Sequence, residues 1–238
     1  MMALESASHA PPPQTGEWGA AFALLPIVAT IDFYALPASL QEHTIAQFTP
    51  QIVGYLALAL WSTRNRDIVS LLGLEHIKVW NGLRWGLLTG LLLGCLNTFV
   101  ILSVYPHLGY DNRFLETTPH ARLPFLIMMP WFICGIALFV EVNFRGFILG
   151  RLFVWGTQLS DRTPTPLVKI IAIGTSAGTF AFDPFMVNTF QHLHWIALWD
   201  GLIWGMIWLR TQNLYTTIVA HAIEVMVMYG AIRIALIP

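Results

Sequence analysis

A chain of 238 residues that is 56% hydrophobic and only 11% charged falls far below the roughly 25% charged content of a soluble domain, and its mean hydropathy is +0.63. That deficit excludes an ordinary water-soluble domain and fits a chain solvated by lipid. With 12 Lys and Arg against 13 Asp and Glu the formal net charge is −1, so no basic face points to nucleic acid, and nucleic acid is excluded as a partner class.

In chain order, the opening MMALESASHAPPPQTG has no Lys or Arg ahead of the first apolar stretch, which argues against a cleaved secretory signal. Its proline run reads as a disordered or extended tail over 1–17. The remainder, 18–238, reads as one transmembrane helical domain. A spanning helix needs about 20 mostly apolar residues. The candidates are 18–36, 44–62, 83–105, 124–155, 167–185, 195–210 and 213–236.

The expected fold class is therefore all-α, a polytopic transmembrane helical bundle of about seven spans plus a short surface helix. The first span carries Asp32 between Pro26 and Pro37, and the fourth is too long for one simple crossing. The surface helix is expected in STRNRDIVSLLGLEHIKVWNGLRW, which is polar and amphipathic. Arg64, Arg66, Lys78 and Arg84 make this the densest positive loop, and so place it in the cytoplasm. Alternation then puts Arg151, Arg162, Lys169 and Arg210 on the same side, with Arg113, Arg122 and Arg233 opposite. The expected setting is a bacterial-type inner membrane, N-terminus cytoplasmic and C-terminus outside. Trp18, Trp61, Trp80, Trp85 and Trp195 fall near predicted span ends, as interfacial belts require. Cys95 and Cys134 lack metal-ligand spacing and read as small buried apolar residues. No internal repeat supports an inverted-repeat transporter.

Ionisable groups inside such helices cost about 2.5–3.5 kcal/mol each at the centre on insertion scales, and so are expected to face the bundle interior. Here they are Asp32, Glu141, Arg145, Asp183, Asp200, His221 and Glu224, with His192 and His194 near a predicted outer end. Glu141 and Arg145 stand at i and i+4 and can pair. Spacing leaves two roles equally open, an ion pair that fixes packing or a carboxylate held by arginine in a dry cavity. His221 is either a hydrogen-bonded interior group or a ligand. His192 and His194 splay about 200° apart on a helix, a weak metal signal.

Taken together, "EVNFRGFILGRL" resembles the first motif of the CAAX-protease and bacteriocin-processing family of intramembrane proteases, usually Glu-Glu-x-x-Phe-Arg-Gly. "WDGLIWGMIWLRTQNLYTTIVAHA" is similar to that family's closing segment, and "LLGLEHIKVWNGLRWGLLTGLLLG" to its run into an early core helix. The similarity spans about residues 70–230. It implies peptide hydrolysis by an activated water inside a helical bundle. The first Glu and a His from a Phe-x-x-x-His motif orient the water, and a His and an Asn from His-x-x-x-Asn form the oxyanion side.

Three positions depart from the pattern. Val140 stands at the first Glu, Pro184 at the His that should follow Phe180, and Val225 at the Asn that should follow His221. Adjacent helical positions point about 100° apart, so Glu141 does not simply replace a residue at 140. Glu141, Arg145 and His221 carry over as site residues. The resulting expectation is a divergent family member with a degenerate site and weak or absent peptidase activity. The alternatives are a non-catalytic assembly factor or structural subunit of a membrane complex, and a His-ligated pigment or haem subunit. Expected partners are membrane lipids and a membrane-protein substrate or partner subunits. No cofactor is expected. A metal is left open, although catalytic zinc usually takes three protein ligands and Glu141 and His221 supply only two.

Overall fold

The structure, a computed structural model, describes residues 17–161 and 163–236. The tail reading for 1–16 and the side assigned to Arg162 lie outside the described residues. Among the described residues the chain is helical throughout, without a strand. A single turn at Ala20–Ala23 leads into α1, Leu24–Ala35. Then come α2, Thr44–Arg64, and α3, Val79–Phe99, which runs on through a π-helical turn to His107. Next is α4, Phe125–Leu159. The chain closes with α5, Pro166–Ala181, α6, Pro184–Phe190, α7, Ile196–Thr211, and α8, Leu214–Leu236. The expected surface helix is reduced to short turns at Ile68–Leu71 and His76–Lys78.

Among the described residues three helices are long and apolar enough to cross a membrane, namely α4, α8 and the one containing α3, and α5 with α6 makes a fourth when the bent pair counts as one span. The count of seven is finer than these lengths support. Helix α7 has 16 residues, about 24 Å at 1.5 Å per residue, short of a hydrocarbon core of about 30 Å. Pro50 and the polar Gln47, Thr49 and Gln51 dilute α2.

Helix α3 packs along α8 through Gly82, Gly86, Gly90 and Gly94, one every fourth residue. A Cβ on Gly90 would sit 2.6 Å from the Ala220 carbonyl oxygen, and one on Gly94 would lie 3.2 Å from Glu224 Cα. Removing four side chains lets the backbones meet, the small-residue solution for helices in lipid. Asn97, one turn beyond Gly94, is thereby carried against Glu224.

Helix α4 kinks at Met129 (φ −109°, ψ 125°), because the following proline pushes its predecessor out of the helical region. It widens into a π-helical stretch at Val142–Leu149, in which every residue from Asn143 on is buried. Such widenings recur at functional sites. Between α5 and α6 the axis bends by 53°. Pro184 cannot continue the α5 hydrogen-bond ladder, and Asp183 caps the new helix by accepting from the Phe185 and Met186 amides.

Four expectations are corrected. Asp32 is exposed rather than interior. Cys95 and Cys134 are exposed, because both sit on outward faces of apolar helices, where the solvent is lipid rather than protein. Trp61 is fully buried, since its indole N–H donates to Glu17 and the Arg151 guanidinium lies 4.4 Å above its ring. Glu17, placed in the tail by sequence, is held by that same cluster, 2.9 Å from Arg151.

Candidate active site

The three residues carried over by resemblance meet. Glu141 ends the regular part of α4, and Arg145 follows one turn later, with Nη1 3.1 Å from Glu141 Oε1. From α8, His221 brings Nδ1 to 2.9 Å from the same oxygen. Glu141 is 0% exposed, Arg145 1% and His221 7%. Phe180, the second-motif phenylalanine, lies 4.6 Å beneath the guanidinium and edge-on to His221. Trp204 of α7 stacks on the imidazole at 4.7 Å and also faces Arg145. Two aromatic rings therefore hold both side chains in place. With Nδ1–H donated to a carboxylate, the proton is held on that nitrogen, and Nε2 has no hydrogen-bond partner among the described residues.

Beside this trio lies a second polar group. Asn97 Nδ2 donates to Glu224 Oε1 at 2.7 Å and to the two Asp200 oxygens at 3.1 and 3.2 Å. Its own Oδ1 accepts from the Trp199 indole at 3.1 Å. Asp200 and Glu224 were legible as embedded charges. Asn97 and Trp199 escaped the sequence reading, and the signal available for Asn97 was a polar residue closing the glycine stripe.

These groups border a cavity of about 990 Å³ between the helices. His221, Asp200 and Glu224 line it, while Glu141 and Arg145 stand behind its wall. Val140 and Val225, the positions of the missing acid and amide, line it too. Pro184 is buried at the bend, and its neighbour Asp183 reaches the wall, bonded to Gln51 at 2.9 Å. The bend brings Asp183 to the wall of the same chamber. His192 stacks on Tyr105 and Tyr110 away from the trio, and His194 packs edge-on to Phe182. Among the described residues no group of three or more His, Cys, Asp and Glu is arranged to hold a metal ion.

Residues 122–227 match the model of a protein family described as Rce1-like, Type II CAAX prenyl endopeptidase Rce1-like. That is the kind of family the Phe-Arg-Gly and His-Ala blocks resemble. No curated protein and no solved structure matches the chain. The matched segment contains Glu141, Arg145, Phe180, Asp200, His221 and Glu224, whereas Asn97 and the glycine stripe lie outside it.

Proposed function

From the premise that residues 122–227 form the core of a CAAX-protease-like integral membrane protein, we propose a slow intramembrane endopeptidase in which His221 is the general base and Glu141 positions it. One observation carries this reading: Nδ1 is anchored on Glu141 while the same ring lines the cavity. A water placed there gives a proton to Nε2 as its oxygen attacks the peptide carbonyl. Collapse of the tetrahedral intermediate breaks the C–N bond, and a proton goes to the leaving nitrogen. Net, one water is consumed and a carboxyl and an amine are released. Glu141, sealed from the cavity, does not touch the reacting atoms.

Rates below those of intact relatives follow from the apolar side chains at 140, 184 and 225, since one general base typically contributes about 10²–10⁴-fold. The same three side chains favour a second reading, a non-catalytic assembly factor or subunit that uses the chamber for binding. We place the chain in a bacterial-type inner membrane with seven crossings, N-terminus inside and C-terminus outside. The support for this is the positive loop containing Arg64, Arg66, Lys78 and Arg84.

The test is cleavage of a fluorogenic peptide anchored by one transmembrane helix and co-reconstituted with the protein in vesicles. Slow cleavage is expected from the wild type, none from His221→Ala, and a loss of about 10²-fold or more from Glu141→Gln. Wild-type rates in His221→Ala would remove His221 from the mechanism, and an inert wild type would favour the binding chamber.

A further inference from the structure

Hydrolysis with His221 as base leaves open which group protonates the departing nitrogen. We propose that Asp200 and Glu224, tied together by Asn97, are the acid half of this site: they hold one proton between them in the cavity wall and deliver it to the nitrogen of the scissile amide. The proposal rests on the peptidase reading of His221.

Four observations carry it. First, one amide nitrogen serves both carboxyl groups, at 2.7 Å to Glu224 and 3.1–3.2 Å to Asp200, so the two acids are neighbours. Second, the orientation of that amide is determined by its surroundings. Trp199 has only an N–H to offer and donates it to Asn97 Oδ1, so Nδ2 must face the acids. Third, Glu224 Oε2 is buried with no hydrogen-bond partner, on a residue only 1% exposed that lines the cavity. The unused oxygen belongs to a residue on the same chamber wall as His221.

The fourth is the charge balance. Glu141, Asp200 and Glu224 face Arg145 and His221 in one buried cluster. A Cβ on Gly201, next to Asp200, would lie 3.2 Å from Arg145 Nη2. With all three acids ionised and His221 neutral, the cluster would hold two uncompensated negative charges away from water. Two carboxylates this close cannot both stay ionised there. One shared proton halves the excess. A second, arriving on His221 from the attacking water, makes the cluster neutral, so the pair also strengthens His221 as a base. When the pair's proton leaves on the amine, the His221 proton returns to the pair and the resting state is restored. The other titratable groups on the cavity wall are Tyr55, His120, Asp183, Tyr229 and Arg233.

Infrared spectra of the protein in lipid nanodiscs at neutral pH test the proton directly. The wild type should show the C=O stretch of a protonated carboxylic acid, moved by H/D exchange. Asp200→Asn and Glu224→Gln should each remove it, and Asp183→Asn should not. Absence of the band from the wild type, or its survival in either variant, overturns the proposal. Asn97→Ala, which keeps both acids, should shift the band rather than abolish it.

With the fluorogenic anchored peptide, Glu224→Gln should lower kcat by about 10²–10⁴-fold, leave KM unchanged and remove the alkaline limb of the pH–rate profile. A wild-type pH profile in Glu224→Gln would show that the pair is not the acid. An inert wild type would overturn the base and acid roles together, while the infrared band would still decide whether the pair holds a proton.

Discussion

At the scale of single residues, the informative contrast is between two neighbours on α4. Val140 lines the cavity and Glu141 is sealed behind it, because consecutive side chains on a helix diverge by about 100°. An acid at 140 and an acid at 141 are therefore different instruments. One meets the water, and the other holds His221 and Arg145. We expect Val140→Glu to raise cleavage of the anchored peptide, by about 10²-fold at the low end of a general base's contribution. No gain in a variant that still folds would show that the chamber has lost more than its base. The Glu141–Arg145 pair was legible from i, i+4 spacing alone, and His221 from the resemblance of its block to a family's closing motif. The joining of Asp200 to Glu224 was not. Charge cost singles out acids and bases in lipid, but a neutral amide such as Asn97 carries no such flag. Its role appears only when α3 is laid against α8.

At the scale of elements, the glycine stripe on α3 explains why that happens. Glycine inside a helix costs roughly 0.5–1 kcal/mol relative to alanine, and here α8 occupies the vacated space. Gly90→Leu should therefore force the helices apart, costing about 1–3 kcal/mol as overpacking does and breaking the Asn97–Glu224 contact. Gly174 on α5, with nothing within 4 Å of an added Cβ, should behave oppositely. Gly174→Ala should stabilise by up to about 1 kcal/mol. Thermal unfolding in one detergent reads both, and equal shifts of the same sign would contradict the packing argument. The break between α5 and α6 was not read from the sequence, whose predicted span 167–185 runs through Pro184. Pro184 marks where α5 must stop, but the 53° bend that turns Asp183 toward the cavity depends on what α6 packs against.

At the scale of the whole molecule, the chain is an integral membrane protein. Its orientation can be read by labelling. In a background of Cys95→Ala and Cys134→Ala, Arg66→Cys should react with a membrane-impermeant maleimide only once the cytoplasmic face is accessible. Arg113→Cys should react from the outside. Both positions are exposed, so reversed labelling would invert the topology inferred from the positive loop.

By itself the sequence determined the solvent, the class of fold, the motif blocks and the charges that lipid would not tolerate, because each follows from residue type and spacing along one helix. Tertiary structure decided which of those charges share a wall. It placed Val140 on the chamber and Glu141 behind it, laid Asn97 between Asp200 and Glu224, and turned Trp61 and Glu17 inward. Each of these depends on packing between segments far apart in the chain. Only the packing of one backbone against another, through missing side chains on α3 and a bend before α6, brings them within hydrogen-bond reach.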